Sequence, residues 1–263
     1  MSIMVTARRL KHAKHPLVRL AVYPLAKSWR FAQMMKRGIT DPNYRSIIRL
    51  RLFNRQQVHQ TSSTTQLNRY PILFHACRDY LYNQYSSTQQ PLNILSFGCS
   101  TGEEVLSLRQ YFPNARIVGA EINLRSLAIC RSHPVDDKIS FIYSSPEELQ
   151  KHGPYDAIFC MAVMQRKPME TARKGIRSLK SIYPFERFQD QIEQLDSLLR
   201  PGGLLIVHFS QYNVQDTSIA ERYEPLGHYN QDDYRSPIFD RSSNIIDPPV
   251  SWNSIHIKKS SLS

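Results

Sequence analysis

Acidic residues are almost missing from the first part of this sequence. Residues 1–60 hold nine Arg and four Lys against the single acid Asp41, whereas the rest of the chain carries 21 basic and 21 acidic side chains. The net charge of +12 therefore belongs to an N-terminal arm, and the remaining residues are neutral as a group. A membrane-spanning run is missing too, because Arg19, Lys27 and Arg30 interrupt the apolar residues of the arm. Arg19 also stands where the apolar region of a secretory signal would lie, and no small-residue cleavage site comes after it, which argues against export. Cysteine is scarce. Cys77, Cys99, Cys130 and Cys160 lie far apart, in no C-x-x-C pair and beside no H-x-x-x-H, so neither a disulfide framework nor a metal site is expected. They read as reduced thiols of a cytoplasmic compartment. There is no internal repeat and no low-complexity tract. The 263 residues suffice for one α/β domain and an appendage, with a basic, mostly helical arm and cap over 1–88 and the main domain over 89–263.

What is present is organised around residues 93–123, NILSFGCSTGEEVLSLRQYFPNARIVGAEIN. Asn93 to Phe97 is a short apolar run of strand type, Gly98 and Gly102 bracket a tight turn, and Val105, Leu106 and Leu108 begin an amphipathic helix that stops at Phe112-Pro113-Asn114. Ala115 to Ala120 is apolar again and ends on Glu121. Strand, glycine turn, helix and strand make the opening half of a Rossmann-like, doubly wound α/β fold, in which a ligand lies over the carboxyl ends of the strands.

Upstream, the arm admits three readings: a helical cap with a solvated basic face, an interfacial segment, or a transit-type presequence. In the second, Leu17, Leu20, Val22, Leu25, Trp29 and Phe31 face lipid while Lys and Arg face anionic headgroups, so residues 1–40 make the protein membrane-peripheral. Helices are expected from Pro42 onward and over Pro71 to Tyr82. The polar loop at Thr61 to Thr65 is placed to fold over the ligand mouth, which makes Arg69 a candidate partner for a ligand carboxylate. Downstream, the pattern predicts a helix over Leu124 to Arg131, strands at Ile139 to Tyr143 and Tyr155 to Met161, and a short helix over Pro146 to Lys151. A long helical stretch from Met169 to Leu199 stops at Arg200-Pro201-Gly202-Gly203 before a strand at Leu204 to Phe209. After a polar segment with at most one helix near Ser218 to Tyr223, a last strand, Ser254 to Lys258, adds to the sheet edge in antiparallel sense, making the sheet mostly parallel.

The glycine spacing is G-x-x-x-G, without the middle glycine that lets a pyrophosphate approach the backbone. Glu103 and Glu104 come directly after it, and their charge opposes a phosphate at close range. A cationic nucleoside suits the turn better, and S-adenosylmethionine, with a sulfonium, an ammonium and no phosphate, is such a ligand. Glu121, about 20 residues past the turn at a strand end, is placed to accept both hydrogens of a ribose diol.

With these elements in order, the sequence resembles the class I S-adenosylmethionine-dependent methyltransferases from about Asn93 to Ser210. The resemblance is carried by ILSFGCSTGEE, VGAEIN, FIYSSPEEL, YDAIFCMAV and LLRPGGLLIVHF. The glycine loop is similar in wording to that of the chemotaxis-receptor glutamate methyltransferases, although Met161-Ala162 replaces the Arg-Asn that tends to follow Cys160 in their fourth strand. The resemblance implies that Gly98, Cys99, Ser100, Thr101 and Gly102 line the methionine and ribose portion, with Glu121, Ile122 and Asn123 on ribose and adenine. Ser144 and Ser145 would lie at the adenine amino group, and Cys160 and Met161 would bring backbone carbonyls near the ammonium and methyl.

Methyl transfer needs an aligned acceptor and, for a hydroxyl or amine, a base. The tips of the fourth and fifth strands select Met164, Gln165, Arg166 and Tyr212 as acceptor contacts and His208, with its ordinary pKa near neutrality, as catalytic base. The chain lacks the Asn/Asp-Pro-Pro-aromatic run of base amino-methyltransferases and a Pro-Cys loop. The aromatics of the arm alternate with aliphatics, so specific nucleic-acid binding is not expected. The expected function is methylation of oxygen or nitrogen on a small-molecule, saccharide or lipid-linked acceptor. Protein carboxyl methylation, or a non-catalytic S-adenosylmethionine-binding module, stands as the alternative.

Overall fold

The continuous apolar runs become strands buried on both faces, as parallel strands between helical layers must be. In the computed structural model, residues 16–54, 57–60, 65–85 and 90–260 are described. The chain divides between Leu52 and Phe53 into two compact units.

Among the described residues the first unit contains two helices. α1 spans Pro16–Thr40 and α2 Pro42–Phe53. Asp41 separates them and caps α2 through its Oδ1, which accepts from the N–H of Asn43 at 2.9 Å and of Tyr44 at 3.1 Å. In the last turns of α1, Phe31, Met34, Met35 and Ile39 recur at helical spacing and are exposed. The interfacial residues expected at Leu17 to Leu25 have side chains outside the described part. Among the described residues no helix is long and apolar enough to cross a membrane.

The second unit starts its regular structure with α3 (Pro71–Gln84), which the sequence pattern had assigned to the arm. Leu73, Phe74, Cys77 and Leu81 of α3 pack in one core with residues of the sheet, so α3 is part of the main domain. Next in the chain are β1 (Asn93–Phe97), α4 (Glu103–Tyr111), β2 (Arg116–Glu121), α5 (Leu124–Cys130), β3 (Ile139–Tyr143), α6 (Pro146–His152) and β4 (Tyr155–Met161). The chain continues through α7 (Pro168–Arg173), α8 (Phe185–Leu198), β5 (Leu199–His208), β6 (Tyr223–Pro225) and β7 (Ile255–Lys258). The sheet order is β3-β2-β1-β4-β5-β7-β6. The first five strands are parallel, and β7 is antiparallel to both β5 and β6. The sheet is thus Rossmann-like and mostly parallel, and its strand order reverses between β1 and β4.

Alternation along each strand sorts the core into two layers. Ile94, Ala157, Phe159, Leu204 and Ile206 face α3, α4 and α5, while Leu95, Ile158, Cys160, Leu205 and Val207 face α8.

Three details differ from the sequence pattern. The stretch from Met169 to Leu199 is two helices, because a turn through Gly175 (φ 59°) ends α7 and Pro184 precedes α8. β5 begins at Leu199 and runs through Pro201-Gly202-Gly203. Tyr155 pairs with Leu199 and Ala157 with Leu204, so the extra residues leave the ladder as an irregularity. β7 is not the edge, since the three-residue β6 pairs outside it.

Asp196, buried at the end of α8, ties that helix to the far strands. Its carboxylate accepts from Arg222 Nη1 at 2.6 Å and from the Tyr223 hydroxyl at 2.8 Å, and pairs with Lys258 Nζ at 2.9 Å. Removing one partner of a buried pair leaves the other charge uncompensated. Asp196→Ala is expected to lower stability by about 3 kcal/mol, read as a lower urea midpoint with unchanged slope.

Candidate functional site

The reversal between β1 and β4 opens a crevice at the carboxyl ends of these strands, where ligands of doubly wound sheets bind. Backbone geometry there is unusual. Gly98 (φ 74°) and Gly102 (φ 100°) bracket the loop after β1, and the non-glycine residues Ser100 (φ 54°), Ala162 (φ 58°) and Phe209 (φ 55°) also have positive φ, at the tips of β1, β4 and β5. Such conformations each cost of order 1–3 kcal/mol and concentrate at functional sites. Gly98 is required for space as well, because a Cβ there would lie 2.7 Å from Val163 Cγ2.

The loop is held from β2 and α5. The N–H groups of Gly98 and Cys99 both donate to the Ala120 carbonyl, at 2.8 and 3.1 Å. Glu121 Oε2 accepts from the Ser100 N–H at 2.8 Å, and Oε1 from the Asn123 N–H at 2.7 Å. Cys130 Sγ donates to the Ser100 carbonyl at 3.1 Å, and His133 Nε2 lies 2.8 Å from the Thr101 carbonyl. Burial raises the Glu121 carboxyl, while the N–H groups of Asn123, Ser100 and Ile122 oppose the rise. The two carboxylate oxygens together offer about four acceptor sites, and three backbone N–H groups, those of Ser100, Asn123 and Ile122, use them, so one remains for a ligand hydroxyl. On that test the residues fit one hydroxyl of a ribose.

Other expected donor-side residues have definite local roles. Asn123 caps α5 by accepting from the Arg125 N–H, and Ser145 caps α6 by accepting from the Glu148 N–H. The Ser144 N–H donates to the Glu121 carbonyl, and Thr101 Oγ1 donates to Glu103 Oε2. Cys160 and Met161 are buried at the end of β4. Arg69 is exposed, with its guanidinium 5.2 Å from the centre of the Tyr70 ring.

On the acceptor side the structure separates the expected residues. Met164 and Tyr212 are fully buried core side chains and do not offer an acceptor contact. The Tyr212 hydroxyl donates to the Tyr183 carbonyl and also bonds Ser243 Oγ, and the Met164 sulfur lies 3.8 Å from the Tyr183 hydroxyl. Arg166 uses its guanidinium on the carbonyls of Val58 and His59, at 3.2 and 3.3 Å. Gln165 Oε1 accepts from the Tyr234 hydroxyl at 2.9 Å, and its Nε2 donates to the Ala162 carbonyl. His208 is stacked on Phe209 at 4.1 Å, with Phe209 stacked on Tyr234 at 5.3 Å and the Tyr70 ring edge-on at 5.0 Å. Its Nδ1 lies 2.8 Å from Ser254 Oγ. Burial brings the His208 pKa down to about 4, so the imidazole is neutral at physiological pH and a weak base.

Two features have no clear sequence signal. One is a strap whose described residues are 54, 57–60 and 65–70. Asn54 Nδ2 donates to the Tyr143 hydroxyl at the end of β3, at 3.0 Å. Val58 is gripped by Arg166 and by Arg187 Nη2 at 2.6 Å, and the buried His59 lies 2.7 Å from the Tyr183 hydroxyl. The Asn68 N–H donates to Ser107 Oγ of α4. Tyr70 then reaches the tip of β5. The described residues of this segment thus touch the end of β3 at Asn54 and the tip of β5 at Tyr70, while residues 55–56 and 61–64, the latter within the loop expected over the ligand mouth, lie outside the described part. The other is Glu104, in the first turn of α4, which accepts from Ser96 Oγ of β1 at 2.8 Å.

Comparison with known proteins bears on the same segment. Residues 94–203 match the family model of a methyltransferase domain. The chain is 31% identical over 128 residues to a malonyl-acyl-carrier protein O-methyltransferase of Priestia megaterium (strain DSM 319 / IMG 1521), covering 48% of this chain and 40% of that protein. The chain thus spans about two fifths of the length of that curated relative. Among solved structures, it is similar to the plantazolicin methyltransferase BpumL in complex with SAH, at 16% identity, TM-score 0.36 and coverage of 67% and 58% of the two chains. It is also similar to the bifunctional kinase-methyltransferase WbdD, at 17% identity, TM-score 0.44 and coverage of 74% and 40%.

Glu121→Ala is expected to leave the Ser100 and Asn123 N–H groups without their acceptor. The loss should be about 1–3 kcal/mol, with faster hydrogen exchange at these two amides than at those of β4. Unchanged exchange would show that the carboxylate does not hold the loop.

Proposed function

We propose that residues 94–203, which match the family model of a methyltransferase domain, form a class I S-adenosylmethionine-dependent methyltransferase domain, and that the chain methylates a small-molecule, saccharide or lipid-linked acceptor. The observation that carries this reading is Glu121. Its two oxygens brace the β1 loop and the start of α5 through backbone N–H groups, and the acceptor site left over is the one that takes a ribose hydroxyl.

S-adenosylmethionine supplies an already activated methyl group on sulfonium. The residues of this chain have to hold the donor, order the acceptor in line and keep water out. Gly98, Cys99 and Ser100 give the donor a backbone cradle, and Glu121 takes the ribose. At the acceptor end, no strong base faces the site among the residues at the tips of β4 and β5. His208 has its pKa lowered to about 4 by burial, and Gln165 and Arg166 are engaged with Tyr234 and with the Val58 and His59 carbonyls. A hydroxyl or ammonium acceptor would need its proton removed, whereas a carboxylate brings a free lone pair. Oxygen methylation of a carboxylate is therefore the favoured form of the reading, with Arg69 at the mouth supplying positive charge. The curated relative's name, an O-methyltransferase of a malonyl group, is in keeping with it.

We also assign residues 1–40 a peripheral membrane contact. The exposed Phe31, Met34, Met35 and Ile39 share a stripe of α1, and residues 1–40 carry nine Arg and Lys side chains with no acid.

Three outcomes are expected. The purified protein binds S-adenosylmethionine, and Glu121→Ala weakens that binding at least tenfold by calorimetry; binding of NAD instead would refute the assignment. With methyl-labelled donor and fractionated cell extract, the label enters a product that releases methanol in mild alkali, as an ester does, and alkali-stable label would exclude a carboxylate acceptor. Full-length protein floats with liposomes containing anionic lipid, and protein lacking residues 1–40 does not. Equal flotation of both removes the membrane contact.

A further inference from the structure

The amino ends of the parallel strands carry a groove of their own, with a volume of about 1140 Å³. The length of β1, five residues or roughly 17 Å, separates it from the crevice at the carboxyl ends. Each parallel strand contributes to its wall: Asn93 opens β1, Arg116 opens β2, Lys138 precedes β3, Pro154 precedes β4 and Arg200 lies at the start of β5. Lys151 joins them from the end of α6. Among the described residues that line the groove, Asp137 is the one acid against these four Lys and Arg side chains, although residues 61–263 hold equal numbers of both signs. Arg116 and Lys138 stand side by side on adjacent strands, one position before the paired Ile117 and Ile139 and roughly 5 Å apart at the backbone. Strand alternation brings Val118 and Ser140 to the same face, and all four line the groove. Like charges directly opposite each other on a sheet oppose folding. The nearby acids are engaged elsewhere, Asp136 with Arg109 and Asp156 with Arg200, each at 2.9 Å, and among the described residues neither Arg116 nor Lys138 has an ion pair. The other wall is tied down by buried groups. Asp156 holds Arg200 on Oδ1 and takes the Asn93 N–H on Oδ2 at 2.7 Å, while Asn93 Nδ2 donates to the His152 and Pro154 carbonyls at 2.8 and 3.0 Å.

We propose that this groove binds a base-free ligand carrying two or more phosphate groups, a polyphosphate or a phosphorylated saccharide, with Arg116 and Lys138 on one phosphate and Arg200 and Lys151 on another. The site is separate from the methyl-donor crevice and does not rest on the methyltransferase reading. A phosphate takes a guanidinium fork and an ammonium together, and its charge turns the repulsion between Arg116 and Lys138 into attraction. From β3 to β5 the sheet measures roughly 19 Å, so separate phosphates suit the two ends of the groove. The remaining wall residues decide what carries them. No Phe, Tyr or Trp is found among the described lining residues, and a nucleobase has nothing there to stack on. Apolar anchors are confined to Pro91, Val118 and Pro154, whereas peptide recognition draws on pockets for side chains. Gln90, Asn114 and Ser140 instead offer amides and a hydroxyl, which serve phosphate oxygens and sugar hydroxyls alike.

The test is calorimetry of the full chain with sodium tripolyphosphate and with fructose 1,6-bisphosphate. At least one of them is expected to bind, and the double variant Arg116→Gln, Lys138→Gln should weaken it roughly 10- to 100-fold. Tighter tripolyphosphate assigns the ligand to the polyphosphates, and tighter bisphosphate assigns it to the phosphorylated saccharides. Lys180→Gln, at an exposed lysine outside the groove, should leave the affinity unchanged. The N-terminal arm is basic as well, and a polyanion held there would bind wild type and double variant alike. That equality overturns the proposal, as does binding of neither phosphate compound, or of a single-stranded RNA oligomer alone. Thermal unfolding without ligand checks the fold of the variant: with the like-charge pair removed, its midpoint should equal or exceed that of the wild type. A lower midpoint overturns the like-charge argument on which the site rests. S-adenosylmethionine should bind wild type and double variant equally, so this site and the methyltransferase reading stand or fall apart.

Discussion

Everything at the carboxyl edge of this sheet is arranged about one buried carboxylate. Glu121 ends β2, and its two oxygens take N–H groups from opposite directions, Ser100 in the loop after β1 and Asn123 at the start of α5. The loop cannot collapse into the crevice, because the strand below it also receives the Gly98 and Cys99 N–H groups on Ala120. It cannot lift away without leaving buried donors unpaired. The positive φ of Ser100 is sustained by this over-determination, as strained backbone has to be. The group proposed to read the ribose is therefore also the group that shapes the cradle.

The acceptor end obeys another logic. There the tips of β4 and β5 are covered by aromatic rings: His208 on Phe209, Phe209 on Tyr234, and Tyr70 against both His208 and Phe209. Burial in such surroundings suppresses the charged form of the imidazole. The site is thereby poor in basicity and rich in positioning, a balance suited to a reaction whose electrophile arrives activated. The strap adds to this, since Arg166 and Arg187 spend their donors on backbone carbonyls of residues 58 and 59 and thereby fix the wall of the crevice.

How much of this can be read in the amino-acid sequence depends on what kind of signal each part leaves. β4 occupies Tyr155–Met161, the span its mainly apolar run indicates, because a strand covered on both faces is largely apolar, and its one acid, Asp156, is buried against Arg200. The beginning of β5 is hidden, since Pro201-Gly202-Gly203 carries a stop signal and only the irregular pairing with β4 lets the strand pass through it. β6 is three residues long and leaves no pattern at all. In the site, spacing alone places Glu121 at the end of β2. Position at a strand tip does not say which way a side chain turns, and so Met164 and Tyr212 look like acceptor contacts yet lie in the core beneath Tyr183. Glu104 misleads in the opposite way. As one of two acids opening a helix it looks like a dipole partner, but its carboxylate turns to Ser96 on the sheet. The strap has no periodicity, and its position depends on side chains more than a hundred residues away.

The far side of the sheet carries a consequence of its own. β6 ends the seven-stranded array with three residues, and the last of them is Pro225, which has no N–H to offer. A longer strand at that place would present a ladder of free donors and acceptors to any neighbouring chain. By closing the array with a short strand that ends in proline, the fold removes a template for lateral growth of the sheet. A protein with a wide and largely apolar sheet is in this way protected at its β6 edge from pairing with a second copy of itself.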